Sequence, residues 1–258
     1  MKTEKGAQRL LSSVKNAMKI LQLYKGRQKE LSVTEIANHL SLAKSSAHVL
    51  IQSLVTDGFL SQNPRTKKYR LGLSLLSLGG VISSHKELYK EAEPTVKKLV
   101  QTLGETAQIC LLENNEIVYL FRTECANPVR LLTQIGRNNP AHCTSEGLAI
   151  LAYQDEKTIG QLLENSLHAY TPYTLTNPRQ LRQELLKIVQ DGYVIAEETY
   201  FEGFVGIAAP IFNHEETVVS SLSVIGSTKR ITKQDYPQFI NKIKGSANQI
   251  SKLLGYYH

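Results

Sequence analysis

Residues 31–72 read LSVTEIANHLSLAKSSAHVLIQSLVTDGFLSQNPRTKKYRLG, and this stretch decides the fold of the first part of the chain. Ser32-Val33-Thr34-Glu35 has the form of a capping box, a serine whose hydroxyl serves the backbone three residues on and a glutamate there that reaches back. It predicts a helix with Ile36, Ala37 and Leu40 pointing inward. Ser41-Leu42 breaks that helix, and the next is predicted from about Ala43 to Asp57, with Gly58 as its C-terminal cap. Helix, short turn, helix is the helix-turn-helix pattern. At about 100° per residue, Lys44, Ser45, His48, Val49 and Gln52 share one face of the third helix, and Ala47, Leu50 and Leu54 share the opposite one. The first face is short-chained and lacks any acid, which suits entry into a major groove. Phe59-Leu60-Ser61 then reads as a short strand, Asn63-Pro64-Arg65-Thr66 as a turn and Lys67 to Leu71 as a returning strand. Arg65, Lys67, Lys68 and Arg70 fall within six residues of this hairpin, the placing of a phosphate-contacting wing. The result is a winged helix-turn-helix.

Upstream, Val14, Ala17, Met18, Leu21 and Tyr24 recur at helical spacing and predict one more amphipathic helix. Charge supports the same division. Residues 1–90 carry 15 Lys+Arg against 5 Asp+Glu, whereas the remaining residues carry 15 against 18. A basic third joined to a mildly acidic two thirds is the asymmetry of a nucleic-acid module tied to something else. The 258 residues, 41% hydrophobic and 21% charged, fit one large or two smaller globular domains. No apolar run is long enough to span a bilayer, and Met1 to Leu11 lacks a signal-peptide core. The three cysteines, Cys110, Cys125 and Cys143, lack a C-x-x-C pair and make neither a disulfide framework nor a four-cysteine zinc site. The reading is a soluble, cytoplasmic protein with no membrane partner and no cofactor.

The acidic part alternates. Leu73 to Leu103 reads helical, with breaks at Gly79-Gly80 and Glu93-Pro94. Strands are predicted at Thr106 to Leu112 and Ile117 to Arg122, a hairpin about Glu113-Asn114-Asn115-Glu116, and at Val129 to Ile135. Thr144 to Tyr153 reads as a helix, and Pro178 opens another to about Gln190. Tyr193 to Glu198, Val205 to Phe212 and Val218 to Ser227 complete an antiparallel sheet, and Thr232 to Tyr256 forms a last helix. There is no G-x-S-x-G, glycine-rich phosphate loop or H-E-x-x-H. His142 and Cys143 are neighbours that diverge on an extended chain. Thr144 sits where a helix N-cap belongs, so the N–H groups of Ser145, Glu146 and Gly147 would suit a carboxylate ligand.

Four ordered stretches carry a resemblance over about Ser13 to Tyr256. They are the opening one, NPAHCTSEGLAILA (Asn139 to Ala152), GYVIAEETYFEGFVGIAAPIF (Gly192 to Phe212) and VVSSLSVIG (Val218 to Gly226). Together they resemble the IclR-type transcriptional regulators. The resemblance implies an α+β architecture: a winged helix-turn-helix over 1–72, a linker helix over 73–87, and a GAF-like effector-binding and oligomerisation domain over 88–258. It implies a repressor of a double-stranded DNA operator, modulated by a small carboxylate and acting as a homodimer or a dimer of dimers, and not an enzyme. The DNA-binding candidates are Lys44, Ser45, Ser46, His48, Val49, Gln52, Arg65, Lys67, Lys68 and Arg70. Carried across position by position, the effector residues are Ser145, Glu146, Ala196, Phe204, Gly206, Ser223 and Ile225, with Leu131 as an apolar wall and Cys143 beside them. Regulators of this type often have an acid at 196, cysteine at 206, a hydroxyl residue at 225, lysine at 148 and arginine at 49. This chain departs at all five, which leaves a more apolar pocket and a recognition helix suited to A·T pairs. Two other readings stay open: a redox or metal sensor acting through Cys143, and an enzyme with a DNA-binding appendage.

Overall fold

The computed structural model describes residues 11–25, 30–84, 87–129, 138–164 and 166–257. The chain divides into two compact units, Met1–His85 and Lys86–His258.

In the first unit, α1 (Ser12–Gln22) precedes α2 (Val33–Leu40) and α3 (Lys44–Thr56), followed by the hairpin β1 (Leu60–Gln62) and β2 (Tyr69–Leu71) and by α4 (Leu73–Ser84). The capping box at the head of α2 forms as read. The Ser32 hydroxyl accepts from the Glu35 N–H at 3.3 Å, and Glu35 Oε2 accepts from the Ser32 N–H at 2.7 Å. These bonds and the nearby Lys68 ammonium hold the Glu35 carboxyl down at about 2. Ile20, Tyr24, Leu31, Ile36, Ile51, Leu54, Leu60 and Tyr69 form the core. The periodicity of α1 marked Val14, Met18 and Tyr24 as part of the inward stripe; Tyr24 is buried, but Val14 and Met18 are exposed, and Ile20, outside the stripe, is buried.

Two glycines fix how α3 ends. Gly58, at φ +73°, closes a Schellman motif in which its N–H donates to the Val55 carbonyl and the Phe59 N–H to the Leu54 carbonyl. Gly72 then brings the chain back onto this end, where a Cβ would lie 2.0 Å from the Gly58 carbonyl oxygen. Ser74, in the first turn of α4, donates through its hydroxyl to the Asp57 carbonyl and through its N–H to the Gly58 carbonyl.

The second unit runs α5 (Glu87–Leu103), β3 (Thr106–Glu113), β4 (Glu116–Thr123), β5 (Asn138–Pro140), α6 (Ser145–Leu151), α7 (Glu156–Glu164), α8 (Pro178–Asp191), β6 (Val194–Glu197), β7 (Phe204–Phe212), β8 (Val218–Ser227) and α9 (Tyr236–Leu253). Its six strands lie in the order β5-β4-β3-β8-β7-β6, and every pairing is antiparallel. No break occurs at Pro94, which lies inside α5; Ala92, Val96, Leu99 and Val100 of this helix are buried on the sheet, outweighing one lost backbone bond. The strand expected at Val129 to Ile135 falls almost wholly outside the described residues, and α7 was not anticipated.

The sheet separates two cores by strand alternation. Ala107, Ile109, Val205, Ile207, Leu222 and Val224 pack with α5 and α9. Cys110, Tyr119 and Ala208 pack with α6 and α8 on the other face. On that second face β8 offers Ser221 and Ser223 where apolar residues would be usual. Their hydroxyls accept no void: Ser221 donates to the Glu146 carbonyl and Ser223 to its carboxylate. Among the described residues no helix is long and apolar enough to cross a membrane.

Candidate functional site

Two sites emerge, one in each unit. On α3 the structure exposes Lys44, Ser45, Ser46, His48, Val49 and Gln52 together, opposite the buried Ala47, Ile51 and Leu54. Val49 is 64% exposed and thus free to contact a base methyl. Gln52 is also held: its Nε2 donates to the Tyr69 hydroxyl at 3.3 Å, which orients its carboxamide before any contact is made.

The wing is built around an acid that the sequence reading passed over. Glu30 accepts from Asn63 Nδ2 at 2.7 Å and from the Thr66 hydroxyl at 2.8 Å, while Asn63 Oδ1 caps the Arg65 N–H at 2.9 Å. Lys67, expected in a strand, instead takes φ +58°, and β2 begins only at Tyr69. Arg65, Lys67 and Arg70 stand exposed. Lys68 does not stand free with them. It is half-buried, and its ammonium lies 3.3 Å from Glu35 Oε1, so it braces the wing against α2.

In the second unit a cavity opens at the start of α6. It is open to solvent at its mouth, and its walls are Tyr119, Asn139, Cys143, Thr144, Ser145, Glu146, Ala196, Thr199, Tyr200, Phe201, Phe204, Val205, Gly206 and Ile225. Antiparallel register explains the convergence. Gly206 lies opposite Ala196 on one side and Ile225 on the other, and Ser223 lies opposite Gln108. α6 comes down directly on Gly206, where a Cβ would meet the Ser145 hydroxyl at 2.3 Å.

Of the residues read from sequence, Cys143, Ser145, Glu146, Ala196, Phe204, Gly206 and Ile225 line this cavity. Ser223 stands behind Glu146 and reaches it at 2.9 Å without lining the space. Leu131 lies outside the described residues. Tyr119 and Asn139 were missed, and Thr199, Tyr200 and Phe201 were not singled out within the segment around Glu197 to Gly206 that the resemblance sets beside the ligand. The aromatic pair Tyr200-Phe201 in an otherwise polar loop was the available signal. Thr171 and Thr174 hydroxyls donate to the Glu198 and Thr199 carbonyls, fixing that loop over the cavity.

The helix start is less open than its sequence suggested. The Thr144 hydroxyl accepts from the Gly147 N–H at 3.3 Å, and α6 spans seven residues, all buried. In place of vacant N–H groups the cavity presents a carboxylate. Glu146, 3% exposed, accepts from Gln108 Nε2, from the Ser145 hydroxyl at 3.1 Å and from the Ser223 hydroxyl. Across the space, Asn139 Nδ2 donates to the Tyr119 hydroxyl at 2.7 Å, and the Tyr200 hydroxyl donates to Asn139 Oδ1 at 3.2 Å.

His142 and Cys143 lie on a single 3-10 turn, Ala141–Cys143, and not on an extended strand. His142 Nε2 faces the His168 carbonyl at 3.0 Å, and burial holds its pKa below the ordinary value. Burial, and then the Glu146 charge, push the Cys143 thiol well above its ordinary value. A thiol so held is a weak nucleophile. Among the described residues no three His, Cys, Asp or Glu side chains are grouped to hold a metal ion.

Comparison with known proteins follows the same two units. Residues 13–64 match the family model described as the IclR helix-turn-helix domain, and residues 81–252 match that of the bacterial transcriptional regulator IclR C-terminal region. The HTH-type transcriptional regulator KipR of Bacillus subtilis is 31% identical over 95% of this chain and 97% of its own length. The HTH-type transcriptional repressor AllR of Escherichia coli is 26% identical over 98% of this chain and 92% of its own. A crystal structure of an IclR homologue from Microbacterium hydrocarbonoxydans complexed with 4-hydroxybenzoate is similar at a TM-score of 0.82. It is 26% identical, and the match covers 95% of this chain and 99% of that one.

Proposed function

This chain belongs to the IclR family of bacterial transcriptional regulators, and from that premise we propose that it is a repressor released from its operator by a small carboxylate bound at the start of α6. The observation that carries the DNA side is the exposed face of α3, six side chains without an acid, flanked by the exposed wing cations Arg65, Lys67 and Arg70. The wing holds phosphate and fixes register, while α3 reads bases. Gln52, pre-oriented by Tyr69, pairs with adenine, and Val49 packs on a thymine methyl. Lys44, Ser45 and Ser46, at the helix start, take phosphate. The half-sites are therefore A·T-rich under this helix.

The head works as a pair. Leu11, Val14 and Met18 present an apolar stripe on α1 at 71%, 54% and 50% exposure, and Leu73 and Leu76, three apart on α4, are 80% and 73% exposed. Apolar surface of this size on the DNA-binding unit suits a second copy, and a two-fold operator follows from a two-fold protein. A higher assembly of such dimers accords with the resemblance.

Effector binding is supported by the cavity's position, its mixture of apolar walls and few polar groups, and the relative that holds 4-hydroxybenzoate. The AllR likeness supports repression. We read the chain as binding its effector without transforming it, as its relatives are named regulators and His142 is turned to the His168 carbonyl. No observation favours a redox role for the protonated, buried Cys143.

The test is operator selection from a random pool with the full-length protein, followed by titration of metabolites against the selected DNA. A·T-rich inverted half-sites and a metabolite that weakens binding are the expected results. Half-sites centred on G·C pairs would overturn the assignment of α3, and a metabolite that tightens operator binding would overturn the repressor reading.

A further inference from the structure

Glu146 is a carboxylate placed where a carboxylate ligand would be least welcome. An ionised carboxylate has about four acceptor positions. Gln108, Ser145 and Ser223 fill three of them, and Glu146 is among the residues that line the cavity. No lysine, arginine or histidine is among the described residues that line this space. Like charges brought together in a desolvated pocket repel far more strongly than in water, and a buried charge is tolerated where donors satisfy it. The amide of Gln108 points N–H first at the acid and leaves its own Oε1 without a partner, so every neighbour treats Glu146 as an acceptor.

Tyr119 offers the complement. Its hydroxyl accepts from Asn139, and among the described residues its own proton has no acceptor. Burial pushes its pKa well up, so it stays a phenol and remains a donor. Tyr119 lies opposite Cys110 on β3, two residues along from the Gln108 that holds Glu146, which is about 7 Å on a strand. Phe201, Phe204 and Ile225 supply apolar walls.

Building on the effector reading above, we infer that Glu146 selects an aromatic acid bearing a hydrogen-bond donor, a hydroxyl or amino group, on the ring position that meets α6, with the carboxylate turned away towards Tyr119. Glu146 is thus a specificity residue for the far end of the ligand and not an anchor for its charge.

The test is calorimetric titration of the full-length protein with four probes: 4-hydroxybenzoate, 4-aminobenzoate, benzoate and 4-methoxybenzoate. A hydrogen bond to a charged group corresponds to roughly a 10- to 100-fold difference in affinity. The hydroxy and amino acids should lead benzoate and the methoxy acid by that factor. In Glu146→Gln, whose single amide oxygen can still accept from Gln108 and Ser223 while its NH2 replaces the oxygen that Ser145 meets, that lead should collapse to a few-fold, with benzoate gaining. Tyr119→Phe should weaken all four alike. Equal binding of benzoate and 4-hydroxybenzoate by the wild type, an undiminished lead in Glu146→Gln, or no binding of any probe would overturn the assignment. The wild-type comparison decides even if a variant fails to fold. A probe that binds with the stated preference but leaves operator affinity unchanged would instead refute the effector reading alone.

Discussion

Replacing Gly206 by alanine tests how α6 is seated on the sheet. The new Cβ would lie 2.3 Å from the Ser145 hydroxyl and 3.1 Å from its Cβ. The second contact is tight but bearable; the first is not, so the hydroxyl must rotate away. It then loses its 3.1 Å bond to Glu146 Oε2, a hydrogen bond to a charged group, worth about 1.5–3 kcal/mol. Removing glycine from a strand returns about 0.5–1 kcal/mol, so Gly206→Ala should cost about 1–2 kcal/mol. Ser145→Ala alone loses the same bond and should cost about 1.5–3 kcal/mol. In the Ser145→Ala background the obstruction is already gone, and adding Gly206→Ala should cost nothing or slightly stabilise. Urea unfolding of the four proteins at one protein concentration measures the cycle, and a coupling of about 1.5–2 kcal/mol is expected. Costs that simply add, within about 0.5 kcal/mol, would show that the Ser145 hydroxyl is not what Gly206 accommodates.

Three further outcomes are expected. Operator affinity should fall by roughly 10³- to 10⁵-fold between about 50 and 200 mM salt if a dimer neutralises some six to ten phosphates. Within that response Arg65→Ala should weaken all sequences alike, and Gln52→Ala should relax one or two base positions at about 1–3 kcal/mol; binding-site selection with each variant checks this, and a changed sequence preference in Arg65→Ala would contradict it. In native protein a neutral alkylating reagent should label the half-buried Cys125 well before the buried Cys143, whose raised thiol pKa leaves little thiolate at neutral pH; mass spectrometry reads the order, and the reverse order would restore the redox reading. Glu35 has a depressed carboxyl, so its contribution to stability is present above its ordinary value of 4.5 and is lost as pH falls towards about 2. Glu35→Gln should flatten the acid limb of the stability curve over that window, and an unchanged limb in thermal melts would refute the assignment.

The parts of the fold that were legible in sequence are local ones. The capping box, the Gly58 stop and the strand alternation each depend on residues a few positions apart, and each formed as read. What escaped depends on partners far along the chain. Lys68 looked like a free phosphate ligand because Glu35, 33 residues earlier, is not adjacent in sequence. The two apolar flanks of α1 were merged into one stripe, since periodicity marks an apolar face without saying what covers it. At the cavity, the motif positions led to the α6 start and to β7, but the donor set around Glu146 joins Gln108 and Ser223, 38 and 77 residues away. Only the sheet register brings them together. Tyr119 belongs to no motif and Asn139 only opens one, and both are buried on β4 and β5.

The seam between Gly58 and Gly72 has a mechanical meaning. With two hydrogen bonds from Ser74 and no room for a methyl group at Gly72, α3 and the first turn of α4 cannot slide past each other, so they behave as one lever arm. On the proposed reading of a ligand-controlled dimer, a displacement of α4 would carry the reading surface with it undistorted and change only its aim. Induction would then be a matter of heading: two intact recognition helices that no longer point at successive grooves of the same duplex. Spin labels placed on α3 and near Ser74 of one head should keep their separation with and without effector, while labels on the two α3 helices of a dimer should not.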